Sequence, residues 1–242
     1  MIKILFVCHG NICRSPMAEF VLRDMVRRAG LSAQFEIASA ATSAEELGNP
    51  VYPPARRLLA QHGIDCSGKT AVRITRADYD EYDLIIGMDR ENMRNMLRVF
   101  GGDGEGKLRT MLSFAGRPDD SVADPWYTRD FEATWIDVYE GCIGLLNLLY
   151  PEVTLDFSGC TQRRELYDIM RQKMLWQAFY GSNLDALTDI LTGLPYYGRR
   201  FSVILPPEAS PVREYAKRIC AVFSECGKDI SIVQRELNTH RI

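Results

Sequence analysis

Residues 2–16, Ile2-Lys3-Ile4-Leu5-Phe6-Val7 and then Cys8-His9-Gly10-Asn11-Ile12-Cys13-Arg14-Ser15-Pro16, constrain the fold more than any other stretch. An almost unbroken apolar run of this length suits a strand buried on both faces of a parallel sheet. Pro16 suits the first turn of a helix. Phe20, Val21, Met25 and Val26 then recur at helical spacing as far as Ala29-Gly30, where glycine can take the left-handed cap. The stretch therefore reads as strand, loop and helix. A loop wrapped at a helix N-terminus can aim successive backbone N–H groups at one tetrahedral oxyanion.

The residue types in that loop point to phosphate chemistry. Arg14 offers a planar fork that can grip two phosphate oxygens. Cys8, at the base of the cradle, would feel both the helix N-terminus and the guanidinium, surroundings that favour a nucleophilic thiolate. Ser15 is placed to hydrogen-bond that sulfur and stabilise it as a leaving group. Gly10 and Asn11 are residues that tolerate positive φ in a tight loop; His9, Ile12 and Cys13 complete the cradle. Cys8, Cys13 and His9 could also be read as metal ligands. The chain lacks a second ligand pair at zinc-like spacing, so the expected metal complement is none.

Beyond the loop, strand and helix patterns alternate. Phe35–Ser39 and Leu84–Met88 read as further strands, and Pro54–Gly63, Arg90–Phe100 and Trp135–Tyr150 as helices. This alternation predicts a doubly wound parallel α/β sheet, with the ligand beyond the carboxyl ends of the strands, where Cys8 lies. A helical apolar pattern meets Pro151 near Leu149-Tyr150-Pro151-Glu152, and proline disfavours helix at the residue before it. This places one domain at 1–150 and another at 153–242, two domains being ordinary for 242 residues. Residues 1–152 hold 22 acidic and 17 basic side chains, and 153–242 hold 10 and 12. The overall charge of −3 argues against direct nucleic-acid binding. No apolar run is long enough to span a bilayer, and the N-terminus reads as a strand rather than a signal peptide. Seven cysteines without a repeated spacing disfavour a disulfide framework and suit a reducing cytoplasm.

The loop CHGNICRSP, with Ser39-Ala40-Ala41-Thr42, Met88-Asp89 and Asp124-Pro125-Trp126-Tyr127, resembles the low-molecular-weight protein tyrosine phosphatases over about residues 1–150. The resemblance implies hydrolysis of a phosphotyrosine protein or aryl phosphate through a cysteinyl-phosphate intermediate, with no cofactor. It implies Cys8 as nucleophile, Arg14 as phosphate clamp and Asp124 as the acid that protonates the leaving phenolate. Trp126 and Tyr127 would wall the aromatic ring, with Glu45 in the position where relatives often carry an aromatic residue; Cys13 matches a cysteine that in relatives can form a reversible disulfide with the nucleophile, the other reading being a packed thiol. Thioredoxin-coupled arsenate reductases share this loop. They need a further redox pair, for which only the widely separated Cys66 and Cys142 remain before Pro151.

From Thr154 the pattern restarts. Thr154–Phe157, Arg200–Leu205 and Ile230–Val233 read as strands, and Arg163–Met174 and Val212–Ser224 as helices. In FYGSNLDALTDILTG, Leu184, Leu187 and Leu191 mark a core-facing stripe, while Asp185 and Asp189 project together one turn apart. That run, with LDFSGC before it and DISIV after it, resembles barstar, the intracellular ribonuclease inhibitor, over about residues 153–235. The resemblance implies a small barstar-like α/β domain with a parallel sheet. It puts Phe179, Asn183, Asp185, Asp189 and Glu225 on a face that binds a barnase-like ribonuclease. Phe179 replaces a tyrosine there, Thr188 and Leu194 replace tryptophans, and the segment's net charge is +2. An interaction module serving the phosphatase is the alternative.

Overall fold

The structure is a computed structural model and describes residues 1–175, 181–194 and 199–233. Strand β1 (Ile2–Cys8) forms on the apolar run, and every residue from Ile4 to Cys8 is buried. Helix α1 (Arg14–Arg28) starts two residues before Pro16, so the loop is shorter than the proline suggests. There follow β2 (Phe35–Ala41), α2 (Pro53–Gln61), α3 (Ala77–Glu81), β3 (Leu84–Gly87), α4 (Arg90–Phe100), β4 (Leu108–Thr110), α5 (Pro125–Thr128) and α6 (Phe131–Leu149).

The four strands pair in parallel in the order β2-β1-β3-β4. The chain moves outward from β1 to β2 on one side and from β3 to β4 on the other. Right-handed crossovers then place α1 and α4 on opposite faces, the doubly wound arrangement that the sequence predicts. Leu5, Val7 and Ile85 pack with Met96 and Phe100 of α4 and with Leu108; full burial of one such side chain contributes about 1.5–3 kcal/mol. A Cβ at Gly87 would lie 2.9 Å from Met96 Cε and 3.0 Å from Met93 Sδ, so the two methionine ends of α4 pack directly on the strand backbone there. The strand order reverses between β1 and β3, which opens a crevice beyond Cys8 and Gly87.

The short elements α3, α5 and β4 escaped the sequence pattern, and α6 starts earlier than that pattern suggests. β4 is three residues long with Arg109 exposed, so no apolar run marks it. α6 begins at Phe131, four residues before Trp135, because the Asp130 carboxylate accepts from Ala133 N–H (2.9 Å) at its start. Two compact units divide between Leu145 and Leu146, within α6.

The second unit holds β5 (Glu152–Asp156), α7 (Arg163–Met174), α8 (Leu184–Gly193), β6 (Arg200–Ile204), α9 (Arg213–Glu225) and β7 (Asp229–Ile232). Its sheet is parallel, in the order β5-β6-β7. Leu155, Phe157, Phe201 and Val203 are buried, as are Leu187, Ile190 and Leu191 of α8 and Ile219 and Phe223 of α9. Phe201 and Phe223 meet edge to face at 4.8 Å. Leu184 is only half-buried; Ile190, rather than Leu184, completes the apolar face of α8. Among the described residues, no helix of either unit is long and apolar enough to cross a membrane.

Candidate active site

β1 delivers Cys8 to the crevice, and the loop folds back over it. Asn11 N–H points at Cys8 Sγ (3.3 Å), and Ser15 Oγ lies 3.0 Å from the same sulfur. The backbone N–H groups of His9, Gly10, Ile12 and Cys13 take no partner among the described residues, which leaves them available to an anion. Asn11 holds the loop's shape at φ 57°. Its Nδ2 donates to Ser15 Oγ (2.9 Å) and Ser39 Oγ (2.8 Å), while its Oδ1 accepts from Val72 N–H (3.1 Å). Gly10 departs from expectation, because it does not adopt positive φ. An added Cβ there would come within 3.1 Å of Cγ of the flexible Glu46 side chain.

Behind the loop sits a charged cluster that the sequence did not announce. Glu19 of α1 is 2 % exposed. It pairs with Lys69 (2.9 Å) and Arg23 (2.9 Å) and accepts from Ser39 Oγ (2.5 Å). Lys69 also donates to Ser39 O (2.9 Å). Ser39 thereby links this cluster to Asn11 and so to the loop. In sequence, Glu19 looks like any helical charge and Lys69 lies fifty residues away, so no local pattern could have paired them.

Arg14 is buried and bridges two carboxylates. Its NH1 donates to Asp89 Oδ2 (2.6 Å), and its NH2 lies 2.7 Å from Asp124 Oδ2. Each carboxylate uses its other oxygen to cap a helix, Asp89 accepting from Asn92 N–H (2.7 Å) and Asp124 from Trp126 N–H (3.0 Å). Burial alone would lower the Arg14 pKa, but Cys8, Asp124 and Asp89 outweigh it and hold the guanidinium above its ordinary value. Burial pushes the Cys13 thiol up to about 12, with the charges of Cys8 and Asp124 adding to the effect. The cavity above Cys8 measures about 580 Å³. Trp126 and Tyr127 stand on one side at 50 % and 83 % exposure, and Glu45 also lines it. The His9 ring nitrogen lies 3.2 Å from the Glu45 carboxylate at the rim.

The face read on the second unit is partly described. Asp185 and Asp189 are both exposed on α8, and Glu225 is exposed at the end of α9. Neither aspartate has an ion-pair partner among the described residues. Asn183 caps α8, its Oδ1 accepting from Ala186 N–H (2.8 Å), so its carbonyl end is occupied within the fold. Phe179 lies outside the described residues.

Residues 3–155 match the family described as low molecular weight phosphotyrosine protein phosphatase, and residues 150–239 match Barstar (barnase inhibitor). The chain is 35 % identical over 156 residues to the low molecular weight protein-tyrosine-phosphatase YfkJ of Bacillus subtilis, a match covering 64 % of this chain and 100 % of that protein. PtpA of Staphylococcus epidermidis, which bears the same description, is 32 % identical over 155 residues, covering 64 % of this chain and 98 % of PtpA. The crystal structure of YfkJ superposes with a TM-score of 0.59 over 62 % of this chain and 94 % of its own. That of the low molecular weight protein tyrosine phosphatase from Streptococcus pyogenes, 40 % identical, gives 0.55 over 62 % and 93 %. By the extent of the first of these matches, the chain belongs to the low molecular weight phosphotyrosine protein phosphatase family, with a Barstar match following it in the same polypeptide.

Proposed function

We propose that residues 1–150 hydrolyse phosphotyrosine with Cys8 as nucleophile, Arg14 as phosphate clamp and Asp124 as general acid and then base. One observation carries the reading: Cys8 Sγ lies on the floor of a loop with unpaired N–H groups, beside a guanidinium flanked by Asp124. Sγ attacks phosphorus while the bond to the phenolic oxygen breaks, and Asp124 gives that oxygen its proton. Asp124, now a carboxylate, takes a proton from the water that attacks the cysteinyl phosphate. Inorganic phosphate leaves, and the Ser15 hydroxyl donates to the departing sulfur. Arg14 grips two oxygens of the phosphoryl group throughout. Trp126 and Tyr127 offer the ring an apolar wall. Cys8→Ser should abolish turnover of p-nitrophenyl phosphate and Arg14→Ala should cripple both binding and rate; persistent turnover in Cys8→Ser overturns the assignment. Asp124→Ala should cost roughly 10²–10⁴-fold on esters with poor leaving groups.

The second part of the proposal is that residues 153–242 bind and inhibit a barnase-like ribonuclease. Its support is the Barstar match and the two exposed carboxylates one turn apart on α8. Asp189 would take the place of a substrate phosphate among the nuclease's cations. A desolvated interfacial charge of this kind typically costs about 2–5 kcal/mol to remove, so Asp189→Ala should weaken binding at least tenfold. Calorimetry of the full chain against small basic ribonucleases tests it. No binding below micromolar, or wild-type binding by Asp189→Ala, leaves an interaction module instead. Seven free cysteines suit a cytoplasmic protein.

A further inference from the structure

Residues 117–124 carry Asp124 to the site without helix or strand, yet Ala123, just before it, is held through both its backbone N–H and its backbone C=O. The Thr134 hydroxyl donates to Ala123 O (2.8 Å), and Asp137 Oδ2 accepts from Ala123 N–H (2.9 Å). Thr134 and Asp137 are three residues apart on α6 and so share a face; Thr134 is fully buried. Asp137 is itself fixed, because its Oδ1 accepts from Arg117 (2.8 Å), whose guanidinium also donates to Glu140 (2.7 Å). One residue earlier, Val122 N–H donates to Met88 O (2.9 Å), at the end of β3 and beside Asp89. The acid's backbone is thus tied to the same strand end that places the other carboxylate on Arg14.

We infer that Asp137 and Thr134 are positioning residues for proton transfer: they hold the two peptide groups on either side of the Ala123 Cα and thereby set the reach of Asp124 toward the leaving oxygen. The inference rests on Asp124 being the general acid. A proton donor must come within about 2.6–3.2 Å of its acceptor, and a displacement near 1 Å can cost on the order of 10²-fold. No residue of the Cys8 loop bonds to this brace, and Asp89 keeps its own hold on Arg14 if Asp124 shifts, so phosphate binding should change little. Only substrates that need the proton suffer.

The test compares phenyl phosphate, a poor leaving group, with 2,4-dinitrophenyl phosphate, a good one, in the full chain. Asp137→Ala should lower kcat on phenyl phosphate by roughly 10–100-fold and on the dinitrophenyl ester by less than about threefold, with inhibition by inorganic phosphate unchanged. Asp137→Asn keeps an acceptor for Ala123 N–H but offers Arg117 an amide NH2 in place of Oδ1, so it should recover part of the rate that the alanine variant loses. Thr134→Val leaves every ion pair in place and should show the same selective loss, restored by Thr134→Ser. Equal losses on both esters, no loss at all, or an asparagine variant as slow as the alanine one would overturn the inference. The two assignments are separable. If Asp124→Ala loses equally on both esters, the acid role falls and this inference with it; if Asp124→Ala is selective and Asp137→Ala is not, only the brace falls.

Discussion

Replacing Lys69 by methionine should destabilise the phosphatase unit and slow it at once. Lys69 Nζ sits 2.9 Å from Glu19 Oε2, and Glu19 is almost completely buried. At an effective dielectric constant near 20, a pair at that separation attracts by roughly 6 kcal/mol before desolvation is counted. Leaving one member of a buried pair without its partner costs about 3–5 kcal/mol. Arg23 still pairs with the other oxygen of Glu19 and is itself half-exposed, which brings the expected loss down to about 2–3 kcal/mol. At about 2–4 °C per kcal/mol for a domain of this size, the Tm should drop by roughly 5–10 °C. Ser39 bonds to Glu19, to Lys69 and to Asn11, so kcat on p-nitrophenyl phosphate should fall in the surviving folded fraction. The assay is thermal denaturation by circular dichroism together with turnover at a temperature well below the transition. Lys69→Met combined with Glu19→Gln removes the stranded charge but keeps an acceptor for Ser39, and should melt higher than Lys69→Met alone. A single variant melting within about 2 °C of wild type, or a double variant lower by the sum of both singles, would refute the reasoning.

Burial holds the His62 imidazole below its ordinary value, stacked on Trp135 at 3.7 Å. The unfolded chain therefore binds this proton more readily, and the stability His62 permits is complete above about pH 6.5 and falls as pH drops through the lower folded value. His62→Phe should flatten the decline in Tm toward pH 5.5, and an unchanged slope would count against it. The Cys13 thiol, pushed up to about 12, should stay protonated near neutral pH. Brief iodoacetamide treatment followed by peptide mass spectrometry should find Cys8 alkylated and Cys13 spared; equal labelling of the two would contradict this. Gly144→Ala puts a Cβ 1.9 Å from the Phe114 carbonyl oxygen and should cost about 3 kcal/mol, read as a lowered Tm; a wild-type melt would contradict the close approach.

What the sequence reveals and what it hides follow one physical division. β1 and the Cys8 loop are legible because burial on both faces writes an apolar run and the anion cradle needs particular residues in consecutive order. Asp124 is legible through the motif around it. The start of α6 is hidden because the apolar stripe begins at Trp135, four residues after Phe131, while the Asp130 carboxylate caps the helix ahead of it. Glu19 with Lys69, and Thr134 with Asp137, are illegible for another reason. Their partners are backbone atoms or distant charges, and their own positions read as ordinary polar helix faces. β4 is hidden by its shortness, since three residues leave no room for a period.

The close seat of α4 on Gly87 has a consequence for anyone who would redesign this enzyme. Gly87 stands two residues before Asp89, and a Cβ on it would press on the ends of the Met93 and Met96 side chains. A side chain there would have to displace those two flexible methionine ends, and so would change the packing behind Asp89, whose carboxylate lies 2.6 Å from Arg14. The rear of the pocket is therefore tuned through packing. The front is different: Glu45 and Tyr127 line the same cavity but stand in solvent. A library meant to change which phosphoprotein is accepted belongs at those front positions, while diversity at positions 87, 93 and 96 would act on the packing behind Asp89 instead.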